Sequence, residues 1–199
     1  MSDIAIIDSG GANIASLLYA FERLQTKACL TTDAEEIRNA KGVLLPGVGA
    51  AKDAMRRLKN SGLVDVIRNL KQPVLGICLG MQLLCDGSEE EDVECLGIIS
   101  GTARKLVAKT DSPVPNMGWC STRLTAAHAI LEGIEDESFF YYLHSYALPV
   151  SDTTLATAVH KEEFSAIIGR QNFVAAQFHP ERSSMAGALL LQNFLGLGR

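Results

Sequence analysis

The chain has 199 residues, 47% hydrophobic and 21% charged, with a formal net charge of −5. That length suits one domain over residues 1–199, burying roughly 70% of its unfolded surface and able to hold a rigid core without disulfides or metal. No basic stripe is present to neutralise phosphates, which argues against a nucleic-acid partner. No apolar run nears the ~20 residues that a membrane helix needs.

Residues 4–8 form a short apolar run without a basic segment before a long apolar one, so no signal peptide is expected and the chain reads as cytoplasmic. The run ends in Ser9-Gly10-Gly11. A helix follows, with Ile14, Leu17, Leu18, Phe21 and Leu24 on one face. Next come a strand at 28–31, a helix at 34–39 and a strand at 42–45 that is cut by Pro46-Gly47. Helical stretches at 50–60 and 63–70 lead to a buried-type strand at 74–77, and a further helix starts after Cys78.

Strands alternating with helices predict a mostly parallel sheet flanked by helices, an α/β fold with its sites at the C-terminal ends of the strands. From residue 98 onward the strands crowd together, at 98–100, 120–124, 139–143, 154–159, 166–170 and 173–178. That spacing predicts an antiparallel portion in the C-terminal half, closed by a helix at 184–195. The acidic run Glu89-Glu90-Glu91-Asp92 reads as a solvated loop.

Five cysteines, an odd count with no C-x-x-C pair, argue against a disulfide framework or a structural zinc site. One of them stands apart. In Gly76-Ile77-Cys78-Leu79-Gly80-Met81-Gln82 a strand leads into Cys78 and a helix leads out, with glycines two residues to either side. This is the cysteine form of a nucleophile elbow. The sharp turn lifts the sulfur out of the sheet, the helix start favours thiolate, and the Leu79 N–H can face a developing oxyanion. Alone, the pattern also fits a structural cysteine in an ordinary turn.

The candidate base lies in Gln177-Phe178-His179-Pro180-Glu181. In extended backbone, His179 and Glu181 project to the same side, where the carboxylate can fix the imidazole tautomer and stabilise the imidazolium. His128 and His160 read as surface residues, and His144 reads as structural or site-supporting. Gly47 and Gly49 flank Val48, so this segment can aim a backbone N–H into a site or turn it away. The Gly10-Gly11-Ala12-Asn13 turn is not a dinucleotide-binding pattern.

Together these pieces resemble the class I glutamine amidotransferases, and within them the glutaminase subunits of imidazole glycerol phosphate synthase. The resemblance runs end to end through Pro46-Gly47-Val48-Gly49, Gly76-Ile77-Cys78-Leu79-Gly80, Ser88-Glu89-Glu90, Met117-Gly118-Trp119, His144-Ser145-Tyr146 and Phe178-His179-Pro180-Glu181. It implies a flavodoxin-like glutaminase domain with Cys78, His179 and Glu181 as catalytic triad. It implies the backbone around Gly47, Val48 and Leu79 as oxyanion donors, and Gln82 and Glu90 beside the bound glutamine. It implies no metal or organic cofactor. It implies a (β/α)8 cyclase partner that receives ammonia and makes imidazole glycerol phosphate for histidine synthesis, with Asn13, Trp119, Tyr141 and Arg182 on the docking face. Two positions depart from the family pattern: Asn116 stands for the usual His before Met-Gly-Trp, and Cys120 for the usual Asn after it. A glutaminase serving another synthase and a stand-alone thiol hydrolase remain as alternatives.

Overall fold

The computed structural model describes residues 3–10, 14–108 and 112–197. The first half alternates strand and helix: β1 (Ile4–Ile7), α1 (Ile14–Arg23), β2 (Ala28–Thr31), α2 (Ala34–Asn39), β3 (Gly42–Gly47), α3 (Ala51–Asn60), α4 (Leu63–Arg68), β4 (Val74–Cys78) and α5 (Leu79–Leu84). Three short strands follow, β5 (Gly87–Ser88), β6 (Val93–Glu94) and β7 (Thr102–Lys105). The second half is largely strand: β8 (Asn116–Leu124), β9 (Ser138–His144), β10 (Tyr146–Ala147), β11 (Thr154–His160), β12 (Glu162–Arg170) and β13 (Phe173–Ala176), with α6 (Ser184–Gly196) closing the chain.

The main sheet has the order β2-β1-β3-β4-β13-β12-β11-β8-β9. Pairing is parallel from β2 through β13 and antiparallel from β13 to β9. Every residue of β1, β3, β4 and β13 is buried, which explains why these strands read as unbroken apolar runs. The pleat sends Ala5, Ile7, Val43 and Leu45 to a core shared with α2 through α5, and Ile4, Ile6, Leu44 and Leu75 to a core shared with α1 and α6. No helix among the described residues is long and apolar enough to cross a membrane.

Registers converge the site. Gly47 at the end of β3 pairs with Cys78 at the end of β4, and Ala176 at the end of β13 pairs with Ile77. The strand carrying the cysteine is thus the parallel neighbour of the strand that feeds His179.

The strand expected at 98–100 does not form. The N–H groups of Ile98 and Ile99 both bond to the Leu84 carbonyl, and those of Leu96 and Gly97 bond to Leu83 and Cys85. The segment satisfies the orphan carbonyls at the C-terminal end of α5 instead of joining a ladder. The strand nearby is β7, in a second, four-stranded sheet of order β10-β7-β5-β6. β8 begins at Asn116, four residues before the expected start at 120, so the Met-Gly-Trp segment lies in a strand.

Candidate active site

Cys78 caps α5 with φ 55° and ψ −110°. A non-glycine residue with this backbone costs about 1–3 kcal/mol, so the surrounding packing must enforce it. Gly80 shows how: a Cβ there would lie 1.6 Å from the Leu45 carbonyl oxygen. The first turn of α5 thus crosses directly over the backbone of β3, and only glycine permits that approach. Leu79 opens the helix, and N–H groups of a first helical turn have no intrahelical partner.

His179 follows β13 and is tied to β9. Its N–H donates to the Tyr141 carbonyl at 2.9 Å. The Ser183 hydroxyl donates to the His179 carbonyl at 2.7 Å and accepts from the Tyr141 N–H at 2.9 Å. Glu181 does not sit in extended backbone as the sequence suggested. Residues Pro180–Arg182 form a 3-10 turn, closed by the Arg182 N–H on the His179 carbonyl at 3.0 Å. The turn curls the carboxylate back onto the ring, with His179 Nδ1 3.0 Å from Glu181 Oε1. That side chain is 3% exposed. Its second oxygen, Oε2, is the one buried side-chain oxygen or nitrogen without a hydrogen-bond partner among the described residues.

Electrostatics join His179 to the sulfur. Burial pulls the imidazole down, but the Cys78 sulfur and the Glu181 carboxylate outweigh it and hold His179 at about 10. A cationic ring between a sulfur and a carboxylate can hold or move a proton at that sulfur.

Cys78, His179 and Glu181 line one cavity of about 360 Å³ together with Val48, Leu79, Gln82, Glu90 and Arg182. Gly47 sits behind it, paired with Cys78, while Gly49 reaches the lining with φ +89°. No side chain crowds that position: a Cβ at Gly49 would meet nothing within 4 Å. Glu90 departs from the solvated-loop expectation. It is half-buried and turns inward, where Oε2 accepts from the Ala51 N–H at 3.2 Å. Its neighbours Glu89, Glu91 and Asp92 are exposed.

His144, left open by the sequence, is buried and neutral: burial pushes it down to about 4. Its Nδ1 faces the Tyr146 carbonyl at 2.9 Å, and its Nε2 faces the Asn116 amide nitrogen at 3.0 Å. The Cys120 thiol in turn donates to the Asn116 side-chain oxygen at 3.6 Å. The two departures from the family pattern therefore contact each other, and Asn116 joins them to this histidine. His128 and His160 lie away from the cavity lining, each partly exposed at the surface.

Beside the cavity, β8 and β9 present an apolar outer face. The register pairs Met117 with Leu143, Trp119 with Tyr141 and Ser121 with Phe139. Met117, Trp119, Phe139 and Leu143 are all exposed, Trp119 by 52%. The Arg182 guanidinium lies 4.4 Å over the Tyr141 ring, and Trp119 meets that ring edge-on at 6.1 Å. Trp119, Tyr141 and Arg182 thus form one surface that meets the cavity at Leu143 and Arg182. Asn13, the fourth residue expected on the docking face, lies outside the described residues.

Comparison with known proteins supplies the family. The sequence profile of the class-I glutamine amidotransferase family matches residues 5–196. Imidazole glycerol phosphate synthase subunit HisH 2 of Legionella pneumophila (strain Paris) is 48% identical over 194 residues, covering 98% of each chain. The HisH subunit of Xanthomonas axonopodis pv. citri is 46% identical over 195 residues, again covering 98% of each. In fold, the chain resembles a crystal structure described as a GMP synthase subunit from Thermoplasma acidophilum, with a TM-score of 0.76 at 20% identity over 100% of this chain and 94% of that one. An elbow cysteine, an acid-held histidine and near-complete coverage by such relatives lead to one assignment: the chain belongs to the class-I glutamine amidotransferase family, in the branch of the HisH subunits of imidazole glycerol phosphate synthase.

Proposed function

We propose that this chain is a cytoplasmic glutaminase that hydrolyses glutamine through Cys78, His179 and Glu181 and passes the ammonia to a (β/α)8 cyclase partner in histidine biosynthesis. The carrying observation is that Cys78, on a strained turn, lines one cavity with a histidine whose Nδ1 faces a buried carboxylate.

The reaction is acyl transfer. The Cys78 thiolate attacks the side-chain carbonyl carbon of glutamine, and the carbonyl π electrons move onto oxygen. The N–H groups of Leu79 and Val48 stabilise that oxyanion. His179 gives its proton to the departing nitrogen, ammonia leaves and a thioester remains. Water, losing a proton to His179, then attacks the thioester and releases glutamate and the thiolate. Glu181 holds the ring and its charge throughout. The Gln82 amide and the Glu90 carboxylate suit the α-amino end of glutamine. No step requires a metal or organic cofactor.

The apolar face of Met117, Trp119, Phe139 and Leu143 suits the cyclase. A partner docked there abuts Arg182 and Leu143 at the cavity rim. Glycines on both sides, Gly47 and Gly49, let the Val48 N–H, which lies in the Gly47–Val48 peptide, turn toward or away from the oxyanion. A ligand-bound partner can favour the inward state only by binding it better than the outward one.

The test is steady-state glutaminase activity of the chain alone, with a cyclase, and with the cyclase plus its ligand. One oxyanion donor is worth about 10²–10³ in rate, so activity should rise by at least that order in the third condition. Equal rates in all three would contradict the partner reading, and a fast isolated chain would favour a stand-alone hydrolase.

A further inference from the structure

One buried polar side chain at the site has no part in the mechanism above. Gln177 directly follows β13 and is 0% exposed, a setting in which an amide is destabilising unless it is hydrogen-bonded. Its side-chain oxygen accepts from Gln82 Nε2 at 3.3 Å, and its own Nε2 lies 3.8 Å from Cys78 Sγ.

The direction of that last contact follows from its neighbours. The Tyr146 carbonyl can only accept, so His144 Nδ1, 2.9 Å away, carries the proton. His144 Nε2 then accepts from Asn116. The same carbonyl takes an N–H from Gln82 at 3.1 Å, which points the nitrogen end of the Gln82 amide inward. Gln82 also donates to Gln177, so the oxygen of Gln177 faces Gln82 and its nitrogen faces the sulfur. Neither glutamine amide can flip without setting donor against donor or acceptor against acceptor.

Sulfur sees the consequence. As a thiol, Cys78 can donate to the Leu143 carbonyl, 3.6 Å away. As a thiolate it can only accept, and the Gln177 amide nitrogen is the side-chain donor within reach, with His179 lining the same cavity. We propose that Gln177 is a positioning residue for the nucleophile: its amide N–H, aimed by Gln82, favours the Cys78 thiolate and holds it away from the Leu143 carbonyl. This rests on the reading of Cys78 as the nucleophile.

The experiment follows alkylation of Cys78 by iodoacetamide across pH in the complex with the cyclase, locating the modified residue by peptide mapping. Gln177→Met keeps the volume and removes the donor, and leaves Gln82 its bond to the Tyr146 carbonyl. The other titratable or charged groups around the cavity are His179, Glu181, Arg182, His144, Tyr146 and Glu90, and all remain in place. The alkylation midpoint should move upward by about one pH unit, the low end for one hydrogen bond to a charged group. kcat for glutamine should fall while its KM and the ammonia-supported reaction change little. A midpoint identical to that of the unsubstituted complex overturns the proposal. If Gln177→Met fails to fold, Gln177→Asn keeps a buried amide but withdraws its nitrogen from the sulfur. It should show the same upward move, and an unshifted profile again overturns the proposal. The nucleophile reading fails separately, if alkylating Cys78 in the unsubstituted complex leaves glutamine turnover intact.

Discussion

Replacing Glu181 with glutamine tests how the base is held. The substitution removes one negative charge next to His179 while keeping shape. In the protein, Oε1 sits 3.0 Å from Nδ1 and Oε2 is buried with no partner. A glutamine there faces a conflict. With its oxygen toward the ring, the NH2 group takes the place of Oε2 as an unsatisfied buried donor, which costs about 1–3 kcal/mol. With its nitrogen toward the ring, Nδ1 must accept, and the ring proton moves to the nitrogen that serves Cys78. In the first orientation the loss is that of a hydrogen bond between charged groups, about 1.5–3 kcal/mol, or about 10- to 10²-fold in kcat. The second orientation costs more, up to about 10⁴-fold, by analogy with a triad whose histidine takes the wrong tautomer. The KM for glutamine should change little. The His179 pKa should fall, because Glu181 is one of the groups that raise it. Glutamate release from the complex, measured with ligand present, reads the first effect, and imidazole NMR titration reads the second. An unchanged kcat with an unchanged imidazole titration would refute the orienting role.

Two further substitutions probe the scaffold and the docking face. Gly80→Ala places a Cβ 1.6 Å from the Leu45 carbonyl oxygen, against backbone that cannot rotate away. It should cost about 3 kcal/mol or more in denaturant unfolding and abolish glutamine turnover, whereas a stable, active variant would mean that the elbow does not depend on this crossing. Trp119→Ala should weaken cyclase binding by about 2 kcal/mol or more, roughly 30-fold, without changing thermal stability. Unchanged affinity by titration calorimetry would move the interface elsewhere.

The legible parts of this protein are those where local sequence and final environment agree. β1, β3, β4 and β13 are buried on both faces, so their apolar runs speak directly. The Cys78 elbow is legible because Gly80 must be glycine where α5 crosses β3. Other features depend on partners distant in the chain. β7, Thr-Ala-Arg-Lys, buries only Ala103 and owes its strand to pairing with β5 and β10. The 98–100 segment reads as a strand but serves the end of α5. His179 and Glu181 meet as expected, though through a 3-10 turn that spacing alone does not indicate. Glu90 sits in a run of acids that otherwise faces solvent. Gln177 is visible beside the His-Pro-Glu motif, as a polar residue ending an apolar strand. Its role is not legible there, because it depends on Gln82, 95 positions away in sequence.

The central claim is that Cys78 attacks glutamine, and one comparison tests it most directly. Cys78→Ala in complex with the cyclase should fail to make imidazole glycerol phosphate from glutamine while still making it from added ammonium salts at the unsubstituted rate. Retained glutamine-dependent synthesis in that variant would contradict the account.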